Sequence, residues 1–194
     1  MKKVLSLVLA GSMVLSLAAC GGSKDTASTT DSSAASSAEA SGSDTFKIGA
    51  TGPITGGAAI YGNAVKNGIQ IAVDEINEAG GINGYQIDYN FQDDEHDAEK
   101  AVNAYNNLKD WGMQVLIGTT TSAPCIAVVE KTHADNMFQI TPSGTAVECV
   151  QYDNAYRMCF SDPTQGTESA KYIGENGMAQ KVAVIYDSSD VYST

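Results

Sequence analysis

From residue 45 onward, short apolar runs alternate with longer stretches in which apolar residues recur every three or four positions. The short runs predict buried strands, and the periodic stretches predict amphipathic helices. Extended segments are expected at 46–51, 87–92, 115–118, 138–141, 156–160 and 181–187. Helices are expected at 58–79, from 97 to 112, after 122 and from 162. This alternation predicts an α/β fold with a mostly parallel sheet.

Glycine, proline and capping residues mark the expected ends of these helices. The first helix stops at Gly80-Gly81, and the second begins after Asp97, a residue suited to cap free amides. Gly112 follows the second helix, and Pro124 falls in the first turn of the third. These signals place the boundaries of three helices before any packing is considered.

The first 44 residues have a different pattern. Lys2 and Lys3 precede an apolar run from Val4 to Leu17, which is typical of an export signal and short for a membrane span. The run ends in LAACG, which resembles the lipobox of bacterial lipoproteins and predicts a signal peptide over 1–20 with lipidation at Cys20. The alternative is an ordinary signal with a chance cysteine. Residues 21–44 are almost all Ser, Thr, Ala or Gly, so we expect a disordered tether.

Composition narrows the classes of function. The formal net charge is −12, and removing Lys2 and Lys3 with the signal leaves 9 basic against 23 acidic side chains. A chain this acidic is not attracted to nucleic acid or to anionic lipid by its charge. The motifs of phosphate loops, dinucleotide-binding turns and nucleophile elbows are absent from the sequence, so neither a nucleotide cofactor nor an enzyme is predicted.

Hydroxyl-bearing loops follow two of the predicted strands. Thr119 to Ser122 lie between a strand and a helix start, where free amides and the helix dipole favour an anion such as a carboxylate. Residues 141–145 supply a second set at the next strand end. Ligands of parallel α/β sheets bind beyond these carboxyl ends. The alternative is ordinary turn and capping chemistry.

Two further clusters leave alternatives open. The acidic segment 93–99 could hold a hard cation, but a solvated loop with one N-cap is the more common structure, and no metal is predicted. Beyond Cys20, the chain has Cys125, Cys149 and Cys159. Either Cys149 and Cys159 close a short loop and Cys125 stays free, or all three are unpaired thiols.

Together the motifs resemble a known family. The segment from KIGATGPITGG through GGINGYQIDYNFQDDEHD resembles the amino-terminal lobe of branched-chain amino acid-binding proteins, and IGTTTSAP, ITPSGTA and FSDPTQG continue the match to about Asp187. These proteins are substrate-binding subunits of ABC importers with a type I periplasmic-binding fold. Their fold predicts that 45–161 form the first segment of one lobe and 162–194 the beginning of a second, incomplete lobe.

The resemblance also implies a set of ligand-binding residues. The family holds the ligand's α-carboxylate and α-ammonium groups, and by position Ser122, Thr145 and the backbone of Ser143 correspond to that grip. Ser143 and Gly144 stand where better-known members carry alanines, which alters the pocket wall. Tyr61 matches an aromatic residue that covers the ligand side chain, and Tyr192 matches another from the second lobe.

Two departures from the family pattern also follow from the resemblance. Some relatives carry a disulfide where this sequence has His96 and Thr121, so that bridge is not expected. The remaining second-lobe strands, the returning segment of the first lobe and the acidic partner of the ligand ammonium would lie beyond Thr194. As given, the chain is therefore expected to hold half a site.

The resemblance implies an extracytoplasmic substrate-binding lipoprotein, attached to the membrane through lipid on Cys20, that delivers a small branched-chain or similar amino acid to ABC permease subunits. No cofactor and no nucleic-acid partner are expected. Alternatives are an amide-, urea- or aromatic acid-binding protein of the same fold, or a non-functional fragment. A lipid-anchored hydrolase using His96 or His133 is a further alternative from a different class.

Overall fold

The computed structural model describes residues 45–194. The predicted signal peptide with Cys20 and the predicted tether over 21–44 lie outside the described residues and stay predictions. Strands and helices alternate along the described chain. Their bounds are β1 Phe46–Gly52, α1 Ala59–Glu78, β2 Ile87–Asp93, α2 Ala98–Trp111, β3 Val115–Ile117, α3 Ser122–Ala134, β4 Gln139–Thr141, a short 3-10 helix Val147–Val150, β5 Ala155–Arg157 and α4 Asp162–Glu175.

The five strands form one sheet in the order β2-β1-β3-β4-β5, and every neighbouring pair is parallel. The predicted parallel α/β fold is therefore confirmed. Because all strands run the same way, the loops that follow them open at one edge of the sheet. The loops after β3 and β4 are adjacent there, since these two strands pair directly, with Leu116 beside Gln139.

Local capping fixes the ends of α2 as the sequence predicted. The Asp97 carboxylate accepts a hydrogen bond from the Lys100 amide at 2.8 Å. At the other end, Gly112 has a φ of 89°, and its amide donates to the Leu108 and Lys109 carbonyls. A residue with a Cβ is strained in that left-handed conformation, so glycine suits this helix end.

The core lies on both faces of the sheet. On one face α2 and α3 cover β3, and Tyr105, Leu108, Leu116 and Val128 are fully buried. On the other face α1 packs against β1 and β2 through a smaller cluster that includes Val73. Most of the remaining α1 surface is exposed. None of the described helices, the 20-residue α1 included, is long and apolar enough to cross a membrane.

The prediction of a strand at 181–187 is wrong. The structure has no strand there, and the apolar side chains are exposed, with Val184 at 79% and Ile185 at 99%. A buried parallel strand needs neighbours to pair its amides and carbonyls and helices to cover its faces. The described residues supply neither at this segment, and α4, which precedes it, has no buried residue.

Candidate functional site

A cleft of about 460 Å³ opens at the carboxyl-terminal edge of the sheet. It is bounded by the loops that follow β1, β2, β3 and β4, by the segment before α4, and by the end of the described chain. Five of the six predicted ligand-binding residues line it, and Gly144 does not. The lining residues are Ala58, Tyr61, His96, Thr120, Thr121, Ser122, Ser143, Thr145, Cys159, Phe160, Asp190 and Tyr192.

Ser122 and Thr145 meet at the floor of this cleft. Ser122 is the first residue of α3, and Thr145 lies in the loop after β4. Their hydroxyl oxygens are 3.4 Å apart, and both residues are almost completely buried. The sequence separates them by 23 positions, so the pairing of β3 with β4 brings them together.

The two hydroxyls are set up as donors. The Ser122 hydroxyl oxygen accepts hydrogen bonds from the amides of Thr145 at 3.1 Å and Ala146 at 3.3 Å. Its lone pairs are thereby occupied, so its proton is available to an acceptor. Within residues 45–194 the Thr145 hydroxyl makes one hydrogen bond, to the Ser122 hydroxyl, in which either group can be the donor. Two buried hydroxyls that can both donate suit an anionic group such as a carboxylate.

The start of α3 adds to this preference for negative charge. No hydrogen bond within residues 45–194 uses the amides of Ser122 or Ala123, and Thr121 makes no side-chain cap. Unpaired amides at a helix N-terminus carry partial positive charge and favour anions. Hydroxyl donors and amide donors therefore lie at the same end of the helix.

Gly144 lies behind the lining rather than in it. Its amide donates to the Thr141 hydroxyl at 2.8 Å, and that hydroxyl donates to the Thr119 carbonyl at 2.7 Å. A Cβ at position 144 would approach the Thr141 hydroxyl oxygen to 2.7 Å and the Cys149 sulfur to 3.1 Å. The structure therefore does not bring Gly144 to the cleft, and glycine here allows two packed segments to approach closely.

Arg157 holds the loop that carries Thr145. From β5, one of its guanidinium nitrogens donates to the Thr145 carbonyl at 2.9 Å and to the Ala146 carbonyl at 3.2 Å. These contacts fix the backbone whose amides reach Ser122. Sequence reasoning missed this positioning residue, because an arginine in an extended segment carries no local sign of what it contacts.

A hydrogen bond links His96 to Thr121 at the rim of the cleft. The His96 Nδ1 and the Thr121 hydroxyl oxygen are 2.9 Å apart. This polar contact connects the loop after β2 to the start of α3.

The acidic loop that carries His96 is stabilised by its own side chains. Asp93 accepts from the Ile54 and Glu95 amides, and Asp94 accepts from the His96 amide. Burial raises the pKa of Asp94 to about 6, and the nearby carboxylates of Asp93 and Asp97 add to that shift. No group of three or more acidic, histidine or cysteine side chains among the described residues is arranged to hold a metal ion.

Two aromatic residues of the cleft lining are largely exposed. Tyr61, on the first turn of α1, is 63% exposed, and Tyr192, near the end of the described chain, is 48% exposed. Both line the cleft without closing it. The floor is therefore packed and buried, whereas the sides are accessible.

The three described cysteines are free thiols. Cys125 and Cys149 are buried beneath the site, and Cys159 is partly buried in the cleft lining. The expected alternative with a bridge between Cys149 and Cys159 is not formed. The Cys159 thiol donates instead to the Gly144 carbonyl at 3.6 Å, and burial raises its pKa.

The parallel sheet, the cleft at its carboxyl edge and the paired hydroxyls agree with a sequence profile. A profile described as periplasmic binding protein matches residues 45–193. The chain belongs to the periplasmic binding protein family. This match covers nearly all of the described residues, so the fold and the family agree over the same part of the chain.

Curated relatives of the chain are amino acid-binding proteins. The chain is 35% identical over 142 residues to the Leu/Ile/Val-binding protein BraC3 of Rhizobium johnstonii. It is 33% identical over 146 residues to the leucine-, isoleucine-, valine-, threonine- and alanine-binding protein of Pseudomonas aeruginosa. These matches include 72% and 74% of this chain, but the chain spans only 39% of the length of each relative.

Two solved structures of amino acid-binding proteins superpose on the described chain. The substrate-binding protein LivJ of the Streptococcus pneumoniae branched-chain amino acid transporter, in complex with isoleucine, superposes with a TM-score of 0.74 at 32% identity. The comparison covers 77% of this chain and 44% of LivJ. The leucine-binding protein LivK of Thermotoga maritima superposes with a TM-score of 0.69 at 29% identity, covering 76% of this chain and 42% of LivK.

Proposed function

We propose that this chain supplies the first lobe of an extracytoplasmic substrate-binding protein that captures a small branched-chain or similar amino acid for an ABC importer. The observation that carries the proposal is the buried pair of donor hydroxyls, Ser122 and Thr145, at the N-terminus of α3. A second lobe closes over the ligand by a hinge motion, and no bond is made or broken. The names of the two curated relatives described above, both amino acid-binding proteins, support this choice of ligand.

The hydrogen-bond donors at the proposed site are sufficient for micromolar binding of the ligand. Hydrogen bonds to a charged group contribute roughly 1.5 to 3 kcal/mol each. Two hydroxyls and the free amides of α3 could donate three or four such bonds to a carboxylate. Their sum approaches the roughly −8 kcal/mol of micromolar binding before apolar contacts are counted. A prearranged cradle of dipoles therefore accounts for capture without a metal ion or a cofactor.

We further propose that lipid on Cys20 attaches the protein to the outer face of the membrane and that 21–44 act as the tether. The apolar run ending in LAACG and the Ser/Thr/Ala/Gly-rich segment after it support this arrangement. The partner at the membrane is a permease, which receives the ligand. Mass spectrometry of the protein purified from membranes would detect a lipid-modified cysteine at the mature N-terminus, and an intact apolar leader would contradict the assignment.

Titration calorimetry of the whole gene product against leucine, isoleucine and valine tests the ligand assignment. We expect micromolar binding, and we expect the double change Ser122→Ala and Thr145→Ala to weaken it by at least about 100-fold, since two charge-assisted bonds are lost. The conservative variant Thr145→Ser keeps the hydroxyl and should retain most of the affinity.

A matched control replaces the same residue types on α4, where no residue is buried. The double change Thr167→Ala and Ser169→Ala should leave binding unchanged. Thermal unfolding of each variant separates lost binding from lost folding, because Ser122 also accepts two backbone amides. Wild-type affinity in the folded Ser122 and Thr145 variant would refute the proposal.

A further inference from the structure

We infer that His96 makes the site select ligands whose side chain carries a hydrogen-bonding group, a hydroxyl or an amide, over aliphatic ligands of the same shape. The inference rests on the proposed function and specifies its substrate class. The simplest case compares two amino acids of nearly equal volume. Threonine, which carries a hydroxyl, should bind more tightly than valine. The inference rests on the position of the His96 imidazole, which lines the cleft and is hydrogen-bonded to Thr121.

The imidazole of His96 is held in place by its surroundings. Its Nδ1 is 2.9 Å from the Thr121 hydroxyl, and its amide donates to the Asp94 carboxylate at 3.0 Å. Glu95 and His96 have positive φ values of 52° and 62°, and Lys100 pairs with the Glu95 carboxylate at 2.7 Å. A tight turn thus presents the ring to the cleft, next to the residue that starts α3.

The other ring nitrogen is not engaged. Within residues 45–194, Nε2 of His96 takes part in no hydrogen bond. The neighbouring hydroxyls of the lining are already used by carbonyl groups, since Thr120 donates to Thr51 and Ser143 donates to Thr120. Among the side chains of His96, Thr120 and Ser143, Nε2 of His96 is therefore the polar atom left to meet the distal part of a ligand whose carboxylate is held by Ser122 and Thr145.

The physical preference follows from hydration. In the open cleft the exposed His96 ring can bond water. A methyl group of a bound valine would displace that water and leave Nε2 unpaired, which costs free energy. A hydroxyl or amide can donate or accept, so it pairs with Nε2 whether that nitrogen acts as a donor or as an acceptor.

Charge around the cleft argues against a ligand with a second carboxylate. Asp190 lines the cleft, and Asp93, Asp94, Glu95 and Asp97 surround His96 in its own loop. The formal net charge of the chain is −12. A second carboxylate on the ligand would be repelled at this position, so a neutral polar side chain fits better than an acidic one.

Calorimetry of the whole gene product with L-threonine and L-valine tests the inference. We expect threonine to bind roughly three- to tenfold more tightly, the size of one partly exposed hydrogen bond. His96→Leu should remove or invert that ratio, and His96→Gln should keep part of it. Thr121→Val, which removes the hydrogen-bond partner of the ring, should give an intermediate ratio.

The other histidine of the chain provides a control. His133 is exposed on α3 and stacks on Tyr152, so His133→Leu should leave the ratio unchanged.

The outcomes separate this inference from the proposed function. If the wild-type protein binds no amino acid, the proposed function fails. If it binds valine as tightly as threonine, or if His96→Leu leaves the ratio unchanged, only the role of His96 is overturned. Tighter binding of glutamate or lysine than of threonine would overturn it as well. A ratio that responds to Tyr61→Phe instead would overturn the role of His96 and assign recognition of the hydroxyl to Tyr61.

Discussion

Residues 46–157 and residues 162–194 both contain apolar runs with the composition of strands, but only the first region packs them. In β3, Leu116 lies between two neighbouring strands and is fully buried. In the second region Ile185 is almost completely exposed. The difference shows that an apolar run becomes a strand only where other segments pair with its backbone and cover its faces.

The largest expected effect comes from truncating one aliphatic side chain in each region. Leu116→Ala should lower the free energy of unfolding by about 2 to 5 kcal/mol, because it leaves a cavity in the core. Ile185→Ala, made in the same 194-residue chain, should change it by less than about 0.5 kcal/mol. Urea unfolding measures both. Equal losses would show that 181–187 is packed, against the structure.

A second test compares a buried and an exposed carboxylate. Burial raises the pKa of Asp94 from 3.8 to about 6, so between those values the folded chain binds more protons than the unfolded chain. Stability therefore falls as the pH rises from about 4 to about 6, and the penalty is complete above that window. Asp94→Asn removes the charge, so its stability relative to the wild type should rise across this range, by up to about 3 kcal/mol.

The control for this test lies in the second region. Hydrogen bonds from the side chain and the amide of Ser189 lower the pKa of Asp187, which is exposed. Asp187→Asn should therefore give no comparable gain between pH 4 and pH 6. Unfolding free energies measured at several pH values distinguish the two variants, and parallel curves for Asp94→Asn and the wild type would contradict the burial of this carboxylate.

The smallest effect contrasts two glycines of α1. A Cβ at Gly62 would collide with the backbone carbonyl of Pro53, whereas a Cβ at Gly68 would meet nothing. Gly62→Ala should therefore destabilise the chain by about 1 to 3 kcal/mol through overpacking. Gly68→Ala should stabilise it by about 0.5 to 1 kcal/mol, because alanine favours the helix. Thermal unfolding of the two variants gives the signs, and two losses of similar size would mean that both faces of α1 are packed.

The sequence was sufficient for features that depend on local chemistry. The Asp97 cap and the Gly112 terminus of α2 were predicted because each acts within one helical turn. The loops with Ser122 and Thr145 were predicted by position and resemblance, and the structure places their hydroxyls 3.4 Å apart. Their role in binding stays a prediction that calorimetry can test.

Features that depend on distant partners could not be predicted in the same way. The apolar run over 181–187 looked like a strand, but its state depends on neighbours that the run itself cannot specify. Arg157 contacts carbonyl groups 11 and 12 positions away, and the close packing at Gly144 depends on Thr141 and Cys149. The bond from His96 to Thr121 spans 25 positions, so only the folded chain reveals it.

The direct pairing of β3 with β4 has a mechanical consequence. Ser122 and Thr145 are attached to adjacent members of one hydrogen-bonded ladder, so thermal fluctuations of the sheet displace them together and change their separation little. The proposed ligand would therefore meet a spacing between the two hydroxyls that already exists, and its binding would cost little ordering entropy at these two residues.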